Sequence, residues 1–225
     1  MFEWLTNPIY QDMLIEGYIH TLQVAGIALL LGFVIGFPAS IVEVFGGRIS
    51  KTIISGYVEI FRGTPLTVQL FILYFGLRGA SGLIEQYPFL AFDTFTAMCL
   101  ALGLNSSAYQ EGYIKGAIEG VAGTQMEAAR SLGMTKLQGI IYIVIPQAVR
   151  TMIPGWSNEA TYLPKMTSLG LLIGFFDFLS AGWAIAHFTY RILEVYIFVA
   201  IGYVITIFAI AEVLNIIYER VKIPG

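Results

Sequence analysis

Six apolar runs dominate this chain, and most are long enough to cross a bilayer. They cover Tyr18 to Val44, Ile53 to Leu77, Phe92 to Ile118, Gln138 to Leu163, Leu169 to Phe188 and Ile192 to Ile217. A membrane helix needs about 20 consecutive apolar residues. Inside a bilayer the backbone must satisfy its own hydrogen bonds, so runs of this kind fold as helices, not as open sheets. The reading is therefore an all-α integral membrane protein. Composition agrees: 57% of residues are hydrophobic and only 12% charged, about half the charged share of a soluble domain. Mean hydropathy is +0.76. The 225 residues are expected to form one membrane domain, residues 1–225, covered by lipid and needing no soluble core. A net charge of −3 gives no footprint for nucleic acid. The single cysteine, Cys99, excludes an internal disulfide.

Basic residues orient the runs. Arg48 and Lys51 lie between the first two, Arg130 and Lys136 between the third and fourth, and Arg220 and Lys222 after the last. The first 18 residues carry Glu3, Asp12 and Glu16 but no Lys or Arg. They lack the basic region of a cleavable signal, so the first apolar helix is expected to act as the insertion signal and stay. The loop from Arg78 to Thr94, with Glu85 and Asp93, is expected outside. This bias puts the N-terminus outside and the C-terminus in the cytoplasm, which requires an odd number of crossings. Leu169 to Phe188 is the run expected not to span. It contains Gly170, Gly174, Gly182 and Asp177, and a short re-entrant or half-buried helix suits it. Five spanning helices are expected, with Asp177 at the outer surface in a structural role.

A polar interruption at Thr124–Pro146 reads TQMEAARSLGMTKLQGIIYIVIP. Thr124-x-x-Glu127 and Thr135-x-x-Gln138 both have the spacing of capping boxes. Gly133 sits where a left-handed residue would close the first helix. A short cytoplasmic helix over Gln125–Leu132 is expected, with small Ala128 and Ala129 open to a partner. An ordinary helix–turn–helix connection gives the same capping signals.

The spacing of Glu127-Ala128-Ala129, then Gly133, then Ile143-Val144-Ile145-Pro146 resembles the "EAA" coupling loop of ABC-importer permease subunits. Arg62-Gly63-Thr64-Pro65 is similar to the RGTP segment of the polar amino acid branch of that family. Asn158-Glu159 followed by Lys165-Met166-Thr167-Ser168-Leu169 resembles another segment of that branch, with Met166 where an Asp is commoner. The likeness extends from about residue 14 to the end.

The resemblance implies a permease subunit that carries a polar amino acid across the cytoplasmic membrane of a bacterium or archaeon. ATP would be hydrolysed elsewhere. A dimer of ATP-binding subunits would contact Glu127, Ala128, Ala129, Arg130 and Gly133, within the cytoplasmic loop 124–146. A second permease copy, identical or homologous, and an extracytoplasmic solute-binding protein would complete the importer. ATP and Mg would belong to the partner. The chain itself is expected to be non-catalytic, without cofactor or metal. Its nearest approach to a phosphate loop, Gly46-Gly47-Arg48-Ile49-Ser50-Lys51-Thr52, has Ser50 where a glycine must precede the lysine.

Polar groups inside membrane runs are costly and usually face the bundle interior or a water path. Arg62, Thr64, Asn105, Ser106, Asn158, Glu159, Lys165, Thr167 and Ser168 are the candidates for a substrate path. Arg62, Thr64, Asn105, Asn158 and Glu159 are expected to converge near mid-membrane. A zwitterion needs a cation for its carboxylate and acceptors for its ammonium group, and this set supplies both. The plainer readings are a kinked helix with a Glu59–Arg62 ion pair, a Glu159–Lys165 pair, and polar side chains that bond a neighbouring helix. An ion-coupled carrier fits the charges but not the missing internal repeat. An intramembrane hydrolase fits only in possessing His20 and His187, which lie on no motif with a nucleophile.

Overall fold

The structure is a computed structural model that describes residues 3–76, 87 and 91–222. The expected outer loop around Arg78 and Glu85 lies outside the described residues, apart from its last few positions. Helix α1 (Pro8–Phe45) opens where Asn7 Oδ1 accepts the Ile9 N–H at 3.0 Å. Proline at the first helical position leaves no donor wasted there. Helix α2 (Arg48–Gly63) stops because Pro65 holds Thr64 extended, at φ −114° and ψ 145°. The chain resumes as α3 (Leu66–Phe71) and widens into a π-turn over Ile72–Gly76. The second apolar run is thus one broken helix, interrupted where Gly63 and Pro65 predict.

Helix α4 (Thr94–Ser131) begins at Asp93, whose Oδ1 accepts the Thr96 N–H at 2.7 Å. It then runs without a break through Thr124. This corrects the expected separate helix: Thr124 caps nothing, and the segment 125–131 is the C-terminal end of α4. Tertiary packing explains the difference. Val121, Ala122 and Met126 lie on the cluster of Ile118, Val144 and Ala148, which carries the helix past its local start signal.

The other end of that segment follows its sequence closely. Gly133 has φ +79°. Its N–H bonds to Arg130 O at 2.9 Å, and Met134 N–H bonds to Ala129 O at 3.1 Å, the paired bonds of a Schellman ending. Thr135 forms the expected capping box with Gln138 and opens α5 (Lys136–Gln138). A π-helix over Gly139–Val144 follows, and the Ile145 N–H reaches Ile140 O. That wider turn accommodates Pro146, which has no N–H to give. Helices α6 (Ile145–Thr151) and α7 (Ile153–Met166) continue the run.

A 3₁₀ segment, Thr167–Ile173, ends at left-handed Gly174, and α8 (Phe178–Thr189) follows. Ile153–Ile173 and α8 are bent by 54°. At 12 residues, α8 is about 18 Å long and too short to cross a core of about 30 Å. It covers most of the run in which a short re-entrant or half-buried helix is expected, and its bend against Ile153–Ile173 is that of a broken span or a re-entrant loop. Helix α9 (Ile192–Val221) closes the described chain. By length and apolarity α1 and α9 each qualify as spans alone. Among the described residues, Ile153–Ile173 together with α8 qualifies as one bent pair.

Glycines set how closely the helices approach. A Cβ at Gly36 would lie 2.7 Å from Ser107 O, and one at Gly103 would lie 2.5 Å from Leu31 Cδ2. With Gly32 they lock α1 to α4. Gly17 does the same for α1 against Asp177 O, at 2.5 Å, and Gly182 for α8 against Val199, at 2.5 Å. Between membrane helices close packing replaces the hydrophobic effect, so small residues mark the contacts.

Asp177 is fully buried, which corrects its expected place at the outer surface. It caps α8 by accepting the Ser180 N–H at 2.9 Å and the Ser180 hydroxyl at 2.6 Å, and Tyr203 donates to it at 3.2 Å. Its structural role stands, because those donors offset the cost of burying a carboxylate.

Candidate functional site

Two tyrosines four residues apart on α4, Tyr109 and Tyr113, face Asn158, Glu159 and Tyr162 on α7. Together they line a cavity of about 320 Å³, within the size range of small-molecule sites. Two contacts fix the register of α7 here. A Cβ at Gly155 would already touch the Tyr113 ring at 3.4 Å, so backbone meets ring. Trp156 Nε1 donates to Gln110 Oε1 at 2.6 Å. Gln110 in turn donates to Leu29 O and to Ser106 Oγ, each at 3.0 Å. One buried amide thereby joins α1, α4 and α7.

Glu159 lines the cavity, and two cations stand over the rings of its tyrosines. Arg62 stands over the Tyr109 ring, 5.0 Å from its centroid, a cation–π distance. Lys165 stands over Tyr162 at 5.8 Å. Glu159 is 3% exposed, and its Oε1 is buried with no hydrogen-bond partner. Ser106 and Arg62 are its polar neighbours. Ser106 is the thirteenth residue of α4, about 18 Å along the helix from its start. A buried acceptor, a nearby guanidinium and aromatic walls can hold a group bearing both an ammonium and a carboxylate.

The ion pairs considered from sequence do not form. Glu59 is exposed and does not reach Arg62. Lys165 stacks on Tyr162 and does not bridge to Glu159. The expected convergence is also only partial. Arg62, Asn158 and Glu159 gather, with Ser106 and Lys165 at the margin, but Thr64 and Asn105 serve the break between α2 and α3. Pro65 leaves Phe61 O without its helical donor, and Asn105 Nδ2 at 3.0 Å and Gln69 Nε2 at 2.8 Å replace it. Thr64 Oγ1 donates to Ile60 O at 2.7 Å. Thr167 lies apart as well, 3.4 Å from both Asp177 Oδ2 and Thr21 Oγ1. Ser168 donates to Lys165 O at 2.6 Å. Tyr113, Gln110 and Gln69 were not among the sequence candidates. A tyrosine pair at i, i+4 and two glutamines inside apolar runs are the signals that mark them.

The loop between α4 and α5 forms a second candidate surface. Glu127, Ala128 and Arg130 are exposed there, beside Leu132 at 83% and Leu137 at 65% exposure. Ala129 is not open to a partner as expected from its size; it is 3% exposed. The reason is Gly139, whose missing side chain lets Ala129 Cβ come within 3.4 Å of its Cβ position. Ala129 thus holds the two arms of the loop together, while its neighbours face outward.

Residues 28–222 match the family model described as binding-protein-dependent transport system inner membrane component. The glutamine transport system permease protein GlnP of Escherichia coli (strain K12) is 32% identical over 222 residues, covering 99% of both chains. The nopaline transport system permease protein NocM of Agrobacterium fabrum is 34% identical over 194 residues, 85% of this chain and 80% of that one. Among solved structures, an amino acid ABC transporter crystallised with histidines superposes with a TM-score of 0.85 at 33% identity, covering 98% of this chain and 99% of that one.

Proposed function

This chain belongs to the binding-protein-dependent transport system inner membrane component family, and from that premise we propose that it is the permease subunit of an ATP-binding-cassette importer for a polar amino acid. The observation that carries the substrate class is the cavity lined by buried Glu159 and by Tyr109, whose ring Arg62 covers. A zwitterion matches that pair of charges. The carboxylate of the substrate meets Arg62, its ammonium group meets the free oxygen of Glu159, and its side chain lies against Tyr113 and Tyr162.

The chain neither binds nor hydrolyses nucleotide in this reading. ATP and Mg act in a dimer of partner subunits seated against Glu127, Ala128, Arg130 and Leu132, with Gly133 fixing the turn behind them. The Schellman ending and the capping box at Thr135 support a stiff element that passes motion to α4 and α5. A second permease copy and an outer solute-binding protein complete the assembly. The N-terminus lies outside and the C-terminus in the cytoplasm, as the basic residues favour.

Uptake of radiolabelled polar amino acids by the importer reconstituted in vesicles tests the pocket. Glu159→Gln and Arg62→Gln should each raise KM or abolish uptake while leaving assembly with the ATPase intact. Normal uptake in both variants would put the site elsewhere.

A further inference from the structure

Arg62 has buried carboxylates on two sides, and only one of them belongs to the pocket. Glu111, turned about 160° from Tyr109 around α4, is 3% exposed, and its Oε1 is buried without a hydrogen-bond partner. Lys115, one turn further along α4, sits 3.3 Å from Glu43 Oε1 and gives Glu111 Oε1 no hydrogen bond. Lys115, Glu43, Arg62 and Glu119, in that order of influence, are the charged groups around Glu111. A buried carboxylate oxygen with no donor is costly, and Arg62 is the nearby cation with no ion-pair partner in this conformation. The path between the two sides is Gly112. A Cβ there would lie 3.1 Å from Arg62 Nη1, so the guanidinium already rests against Gly112, which follows Glu111 and lies in angle between it and Tyr109 around α4.

We propose that Arg62 is a two-position cation, serving the substrate pocket beside Tyr109 in one position and Glu111 in the other, and crossing α4 over Gly112. This rests on the pocket described above. A substrate carboxylate holds Arg62 on the pocket side. Glu111 competes for the same guanidinium and recaptures it as the substrate leaves, so that the departing zwitterion does not remain bound to a fixed charge. Glu111 and Gly112 are then positioning residues that set affinity and release without touching substrate. Apparent affinity falls with the fraction of time Arg62 spends away from the pocket, so removing the competitor raises affinity and slows release.

The test uses the full importer with radiolabelled L-glutamine or L-histidine, whichever the wild type takes up. Glu111→Gln keeps the shape of the side chain and removes its charge. It should lower KM about threefold or more and lower kcat as well. Gly112→Ala keeps both charges and narrows the crossing, and should shift KM and kcat in the same directions, which keeps the idea testable if Glu111→Gln does not assemble. In equilibrium binding to the solubilised complex, Glu111→Gln should have no further effect once Arg62→Gln is present, whereas a merely structural role for Glu111 would act equally in both backgrounds. A KM that is unchanged or raised in Glu111→Gln and Gly112→Ala overturns the proposal. So does a Glu111→Gln effect that persists in Arg62→Gln. If Arg62→Gln and Glu159→Gln themselves leave KM unchanged, the pocket reading has failed; if they shift it while Glu111→Gln and Gly112→Ala do not, only the switch has.

Discussion

Gly32 and Gln110 are in such close contact that a Cβ on residue 32 would lie 2.3 Å from Gln110 Nε2. The amide cannot move aside freely. It bonds Leu29 O, Ser106 Oγ and Trp156 Nε1, so a shift would break the join between α1, α4 and α7. Four residues on, Gly36 meets the backbone of Ser107 in the same way. Gly32 and Gly36 form a G-x-x-x-G pair whose role is to let α4 sit directly on α1.

Gly36→Ala should therefore destabilise the chain by about 1–3 kcal/mol, the usual cost of overpacking. Gly26→Ala, on the same helix with nothing within 4 Å of its Cβ position, should be neutral or slightly stabilising. Thermal unfolding of the detergent-solubilised complex checks the contrast. Equal melting temperatures for the two variants would show that α1 and α4 do not pack through this face.

Asn105 was a candidate for the substrate path, and its hydrogen bonds now predict a different phenotype. Asn105→Ala leaves Phe61 O dependent on Gln69 alone and should cost about 1–3 kcal/mol. Gln69→Ala should do the same. The expected outcome is a lower melting temperature with KM for substrate close to wild type. A large rise in KM without loss of stability would return Asn105 to the pocket.

The loop between α4 and α5 separates exposed residues from those that hold the loop together. Leu132→Arg should weaken ATPase stimulation by the loaded binding protein, because Leu132 is 83% exposed, without lowering the stability of the permease. Gly133→Val should reduce the same stimulation by a different route, since a β-branched residue is strained at φ +79°. Ala129→Trp should destabilise the chain itself by pushing Gly139 away. If Leu132→Arg and Gly133→Val both assemble and keep full stimulation, this loop does not transmit the nucleotide signal.

Topology can be read by labelling. In a Cys99→Ala background, cysteines at Tyr190 and Leu132, exposed by 88% and 83%, should react with impermeant reagent from opposite faces of the membrane, Tyr190 from outside. Reaction of both from one face would mean that the count of crossings between them is wrong.

The physics that acts locally was legible in the chain. Apolar run length gave the helical membrane class, because a bilayer leaves the backbone few choices. Pro65 marked the break in the second run, Gly133 the left-handed turn, and Thr135 with Gln138 the next helix start, since each depends on residues within one turn. The short helix after Gly174 lies in the run whose glycines and Asp177 mark it as different from the others.

What sequence could not decide was which side chains meet across helices. The start signal at Thr124 was locally sound, yet packing of Val121, Ala122 and Met126 on Val144 and its neighbours outweighed it and kept α4 whole. Thr64, Asn105 and Arg62 all read as polar groups at one depth. Only the rotation of α4 against α2 sends Asn105 to the orphaned Phe61 carbonyl and leaves Arg62 over Tyr109. Ala129 looked open because it is small, and it is buried because Gly139, ten residues away, lets the chain fold back on it. A hydrophobic run fixes that a helix crosses the membrane. Which face it turns inward depends on contacts between residues far apart in the chain, and those exist only once the helices have packed.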